Sequence, residues 1–169
     1  RSFDPTHTIS KDEIVTLLEA ARWSASANNM QPWKFAVAHR GDELFAKFND
    51  SLAGFNKEWI PNASALIAVM FEKTNEKGEV RASAPFDTGL AVGQLVLQAQ
   101  AIGLYTHQVG GFDKEAALNA LGNPENLQPV VLIAVGKHAP EADLSEELKN
   151  REAAIRVRKE LSEIVIAGL

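Results

Sequence analysis

Residues 87 to 102 read DTGLAVGQLVLQAQAI, a helix-length stretch with apolar residues on nearly every side. Such a helix has no solvated face of its own and is expected near the centre of a fold, covered on most sides. Gly103 follows as its C-cap. The continuous apolar run from Ala65 to Phe71 makes a matching demand, because a strand without polar alternation is buried on both faces. At 169 residues the chain is expected to form one domain, 1–169, burying roughly 70% of its unfolded surface.

The remaining segments arrange themselves around this pair. Ser10-Lys11-Asp12-Glu13 is a capping box, and Ile14, Leu17, Leu18 and Ala21 continue at the spacing of an amphipathic helix ending near Trp23. Trp33 to Ala38 reads as a strand, Asp42 to Leu52 as a helix, and residues 53–62 as irregular chain. Lys73 to Pro85 reads as a polar loop, and Leu104 to Gly111 as a strand with a glycine turn. Asp113 to Leu121 is a short helix stopped by Gly122 and Pro124, and Val130 to Val135 is another buried strand. Residues 141–155 are charged and irregular, and Arg156, Arg158 and Lys159 form a basic cluster ahead of Leu161 to Leu169. Helices and strands intermix without the regular spacing of βαβ units. That predicts an α+β fold with a central sheet and a long buried helix, not a doubly wound one.

Composition removes several classes of function. The 22 acidic and 17 basic residues leave a net charge of −5, which argues against nucleic acid as a partner. The run Ala65 to Phe71 falls far short of the ~18 apolar residues of a membrane span. No cysteine is present, which excludes disulfides, thiolate nucleophiles and thiolate-bound metals. His7, His39, His107 and His138 show no ligand spacing, so no metal site is expected. No secretory pattern is legible, and the cytoplasm is the expected compartment. Phosphate-loop, dinucleotide-binding, zinc-protease and hydrolase-elbow motifs are all missing.

Two features with chemical content remain. The junction SASANNMQPWKF, residues 24–35, places Asn28, Asn29 and Gln31 between a helix and a strand. Asn and Ser side chains bond local backbone in turns and caps, which is one account of Ser24, Ser26 and Asn28. Gln31-Pro32-Trp33 fits that account less well, and a heterocycle with several carbonyls and ring nitrogens would suit so many donors and acceptors. The second feature is Arg156 with Arg158. In extended chain they point to one side and could grip a phosphate with two guanidinium forks, or they are a solvated charge cluster.

The run AARWSASANNMQPWKF, residues 20–35, resembles the signature of the flavin-dependent nitroreductase family. Four further segments are similar in the same order: the opening Arg1-Ser2-Phe3-Asp4-Pro5 with Ile9-Ser10, then FNKEWIPNAS (55–64), LQAQAIGLYTHQVGGFD (97–113) and RVRKELSEIV (156–165). The resemblance implies a mostly antiparallel central sheet flanked by helices, with non-covalent FMN. It also implies a homodimer whose long buried helix forms the interface, with two active sites built there. Leu90, Val92, Leu95, Val96 and Leu97 carry more apolar surface than one chain's sheet would cover, in keeping with that interface; a monomer with a deep core is the alternative.

Carried over by position, Arg1 matches a basic residue near the flavin ring. Ser26, Ala27, Asn28, Asn29 and Gln31 belong to the junction that contacts the cofactor. Asn56 matches a flavin-facing asparagine, Gly110 and Gly111 sit where a backbone N–H approaches flavin N5, and Arg156 with Arg158 matches the phosphate pair. No side-chain acid or base is implied as catalytic. Ala25-Ser26 stands where the family has Pro-Ser, and Gln108 and Gly110 stand where a proline and an acidic residue are common. The family's Arg-Ser immediately upstream of the position of Arg1 would complete the phosphate site. The implied activity is ping-pong transfer of electrons from NAD(P)H to nitroaromatics, quinones or similar small electron-poor acceptors, with Arg1 stabilising the charge gained by the ring. A flavin-binding or sensing module without turnover, or a specialised member that dehydrogenates or fragments its ligand, fits the same residues.

Overall fold

A computed structural model describes residues 1–140 and 143–168. Helix α1 (Lys11–Arg22) begins as its capping box requires: Glu13 N–H donates to Ser10 Oγ at 3.2 Å and Ser10 N–H to Glu13 Oε2 at 2.8 Å. Its stripe Ile14, Leu17 and Ala21 is buried. Strand β1 (Trp33–His39), helix α2 (Glu43–Asp50) and a short helix α3 (Asn56–Trp59) follow, then strand β2 (Ala65–Glu72). Helix α4 (Ala84–Ala101) leads through Gly103 into strand β3 (Tyr105–Val109), helix α5 (Lys114–Asn119) and strand β4 (Leu127–Gly136). Helices α6 (Glu146–Ala153) and α7 (Leu161–Ile164) close the chain.

The strands form one antiparallel sheet in the order β1-β2-β4-β3. Register runs Trp33 to Phe71 and His39 to Ala65 across the first pair, and Tyr105 to Gly136 across the last. β2 is central and buried on both faces, as its unbroken apolar run requires. Ala65, Ile67 and Val69 pack with Ile14 and Leu17 of α1 and Ala91, Leu95 and Ala99 of α4. Leu66, Ala68 and Met70 face the other way, against Phe45 and Phe48 of α2, Trp59 of α3, Ala117 of α5 and Leu148 of α6. Fully burying each Leu or Phe contributes roughly 1.5–3 kcal/mol, so the two clusters clamp the sheet from both sides.

Three local expectations are corrected. Residues 53–62 are not irregular: Asn56–Trp59 is helical and Ile60–Asn62 is a 3₁₀ turn. The stretch 141–155 holds α6, whose single buried residue, Leu148, leaves almost no apolar stripe to read; Glu141 and Ala142 lie outside the described residues. α4 starts at Ala84, because Pro85 sits in its first turn, where a missing N–H costs nothing. Within one chain that helix is covered on one side only. Phe86 and Leu97 on its outer face are 71% and 68% exposed. From Arg151 through Gly168 every residue is exposed, including Ile155, Val157, Leu161 and Ile166. Among the described residues no helix is long and apolar enough to cross a membrane.

Candidate functional site

The first residues are fixed by pairing with the chain that leaves β4. Asp4 N–H donates to Lys137 O at 3.0 Å and Ala139 N–H to Ser2 O at 2.9 Å, with Phe3 and His138 forming a bridge. Phe3 fits because Gly136 has no side chain; a Cβ there would stand 3.0 Å from Phe3 Cδ1. Phe3 then stacks on Trp59, with centroids 6.0 Å apart and planes 23° apart. These contacts hold Arg1 at the mouth of a cleft of about 380 Å³ beside edge strand β3, lined by Arg1, Tyr105, His107, Arg151, Glu152 and Arg156 among others. An adjoining cleft of about 610 Å³ shares Ser2, His138 and Glu152 with it.

The charges in this cleft are unequal. Arg1, Arg151 and Arg156 line it together with one carboxylate, Glu152. Glu152 Oε2 accepts from Arg1 Nη1 at 3.4 Å. Burial, helped by the positive charges of Arg1 and opposed by Glu152, pushes His107 down to about 4, so its imidazole is neutral near pH 7. That neutral ring tilts against Trp59 at a centroid distance of 4.6 Å. Trp59 Nε1 is fully buried without a hydrogen-bond partner among the described residues.

At the far end of β3 the chain turns at Gly110 and Gly111. Their carbonyls are used, accepting from Phe112 N–H at 3.2 Å and Ala53 N–H at 2.9 Å. Their exposed N–H groups donate to no oxygen among the described residues. Asn56, the first residue of α3, stands beside them: its Nδ2 is 3.5 Å from the place a Cβ on Gly111 would take. One edge of the sheet thus carries guanidiniums at one end and two free backbone donors with a primary amide at the other. A planar anion-bearing ligand rich in carbonyls and ring nitrogens matches that donor set.

The amide junction answers in two parts. Ala27, Asn28 and Asn29 form a 3₁₀ turn, and Asn28, Asn29 and Gln31 all have positive φ (50°, 56° and 47°). Asn tolerates the left-handed region through local hydrogen bonding, whereas Gln31 there costs roughly 1–2 kcal/mol. Some polar groups are consumed in holding this shape: Gln31 N–H donates to Ser26 Oγ at 3.0 Å and Gln31 Nε2 to Asn29 Oδ1 at 3.2 Å. Ala27 N–H donates at 3.3 Å to Oδ2 of Asp87, a buried carboxylate in the first turn of α4 that also accepts from Ser83 Oγ at 3.0 Å. Others are left over. Asn28 is exposed, and its amide has no partner among the described residues. Local turn chemistry therefore explains the shape, not the surplus.

The structure brings Arg1 and Arg156 into one cleft and Asn56 beside Gly111. Ser26, Ala27, Asn28, Asn29 and Gln31 lie elsewhere, on the approach to β1, the opposite edge strand from β3. Arg158 lies on the exposed arm with its Nη1 donating to Val157 O at 2.9 Å, outside the cleft lining. Glu152, His107 and Trp59 were not singled out by sequence. FNKEW is the one segment whose pattern held a signal for Trp59, an aromatic one turn after Asn56.

A family model described as the nitroreductase family matches residues 1–59 and 51–137. A Bacillus subtilis (strain 168) protein assigned by name to the NAD(P)H nitroreductases, YdgI, is 32% identical over 187 aligned residues, covering 88% of each chain. A solved structure described as an oxidoreductase containing FMN superposes with a TM-score of 0.90 and 31% identity, over 100% of this chain and 86% of that one. A protein from Exiguobacterium sibiricum 255-15 described as a nitroreductase, solved in complex with FMN, gives a TM-score of 0.78 and 29% identity over 98% and 90% of the two chains.

Proposed function

The chain belongs to the nitroreductase family, and on that premise we propose that it is an FMN-dependent oxidoreductase passing electrons from NAD(P)H to nitroaromatics, quinones or similar electron-poor acceptors. One observation carries the reading. Along a single edge strand, Arg1 and Arg156 share a cleft, and the strand ends at the unspent N–H groups of Gly110 and Gly111 beside Asn56. This donor set fits FMN, an anion at one end and an acceptor-rich ring at the other. FMN, when bound there, would supply the hydride and electron chemistry. Arg1 would hold positive charge where the ring gains negative charge, the two glycine N–H groups and Asn56 would orient the ring edge, and Arg156, joined by Arg158 from the exposed arm, would grip the phosphate. NAD(P)H binds, gives up its electrons and leaves before the acceptor arrives in the same space.

The junction at Ser26, Ala27, Asn28, Asn29 and Gln31 sits by the other edge of the sheet, so the site takes it from a second copy of the chain. Two features support that homodimer. The outer face of α4 exposes Phe86, Leu90 and Leu97, and the arm from Ala154 onward exposes Ile155, Val157 and Leu161 with nothing among the described residues to cover them. Residues 1–169 act as one FMN-binding domain, in the cytoplasm, where NAD(P)H is supplied.

Purified protein reconstituted with FMN should be yellow, bleach anaerobically on adding NADH or NADPH, and recolour with a quinone or nitroaromatic. Bleaching without recolouring by any acceptor, or binding without bleaching, would leave a flavin module in place of a reductase. A chain that stays colourless with excess FMN refutes the reading altogether.

A further inference from the structure

Glu152 is the only carboxylate among the residues lining the cleft beside β3. It lies in the last turn of α6, and that helix is docked firmly. Leu148 is buried, Ser145 Oγ donates to Glu58 Oε2 at 3.1 Å, and the Arg151 guanidinium lies 4.8 Å over the Phe55 ring. Phe55 and Glu58 flank and belong to α3, the helix carrying Asn56 and Trp59. The carboxylate is therefore presented by a fixed element, not by a wandering loop. Its Oε2 accepts from Arg1 Nη1 at 3.4 Å. The Arg1 and Glu152 side chains are 26% and 30% exposed, so water screens the pair only in part.

The other cleft groups do not balance Arg1. Arg151 adds charge of the same sign and is itself paired with Glu147. Arg156 also adds positive charge, and the neighbouring His107 is neutral near pH 7. Whatever positive potential Arg1 offers a ligand is thus set by how much of it Glu152 cancels.

We infer that Glu152 is a positioning residue that holds Arg1 and offsets its charge, lowering the reduction potential of the bound cofactor; this rests on the FMN reading above. The ring gains negative charge on reduction, so an offset Arg1 favours the reduced form less than a bare one. A low potential helps a reductase hand electrons on to a wide range of acceptors. A purely structural ion pair would leave the potential where it is.

The test is a dye-equilibrated reductive titration of the FMN-loaded protein, wild type against Glu152→Gln and Glu152→Asp, with FMN affinity measured in parallel. Glu152→Gln keeps the shape and removes the charge. It should tighten reduced FMN over oxidised FMN by about tenfold, an upward shift of about 30 mV in the two-electron potential. Glu152→Asp, which draws the carboxylate back by one methylene, should fall between. An unmoved potential, or an equal change in affinity for both oxidation states, overturns the inference while leaving FMN binding intact. Failure of the wild-type chain to bind FMN overturns the inference together with the reading beneath it.

Discussion

Replacing Arg156 and Arg158 together with alanine separates recognition of the phosphate from recognition of the ring. Arg156 lines the cleft and makes no bond to the described residues, so a charge-assisted bond to phosphate adds about 1.5–2 kcal/mol net. Arg158 Nη1 already donates to Val157 O at 2.9 Å and must exchange that bond, which leaves it roughly 1 kcal/mol. Together the loss is about 2.5–3 kcal/mol, or roughly a hundredfold in FMN affinity. Riboflavin has the same ring and ribityl chain without the phosphate, and its affinity should change by less than about twofold. Both side chains are exposed, so stability should move by no more than about 0.5 kcal/mol. The assay is quenching of flavin fluorescence, each ligand titrated into wild type and variant. Equal losses for the two ligands would mean that the arginines act on the ring or on the fold, and the assignment of a phosphate clamp would be wrong.

Other perturbations test other parts of the structure. Gly136→Ala drives a Cβ to 3.0 Å from Phe3 Cδ1 and 3.2 Å from Ser64 Oγ, and should lower Tm by roughly 3–10 °C; an unchanged calorimetric Tm would show that the packing is looser than described. The ring protons of His107, followed by NMR, should titrate near pH 4 and not near the ordinary value of about 6.5. Because the unfolded imidazole takes up a proton between those values and the folded one does not, stability is lost as pH falls through that window, and His107→Gln should flatten that slope. Charging the outer face of α4 with Leu90→Glu and Leu97→Glu should raise the dimer dissociation constant at least about a hundredfold, and a sedimentation profile identical to wild type would refute the proposed interface.

The fold was readable wherever a physical demand was concentrated in a few residues. Ser10 with Glu13 placed the start of α1, and the unbroken run of β2 announced a strand sandwiched between layers. The readings failed where the demand was weak or met by distant residues. α6 buries one leucine and is otherwise charged, so its helix depends on docking against α3 and leaves little periodicity to find. The candidate site divides the same way. Amides and arginines stand out by type, and resemblance gave Asn56, Gly110 and Gly111 their place. Glu152 and His107 matter through the neighbours that tertiary folding gives them, one on a late helix and one on an edge strand, and no local spacing joins position 152 to position 1.

The tie between Ala27 and Asp87 makes the 26–31 loop an outgrowth of the longest rod in the molecule. Its left-handed torsions are settled when the rod docks, so, on the proposed reading in which this loop meets FMN, the entropy of ordering it is lost in folding and not subtracted from affinity. Cutting the tether with Asp87→Ala would return that loss to the moment of ligand capture. Occupancy would then fall without a single contacting side chain having been altered.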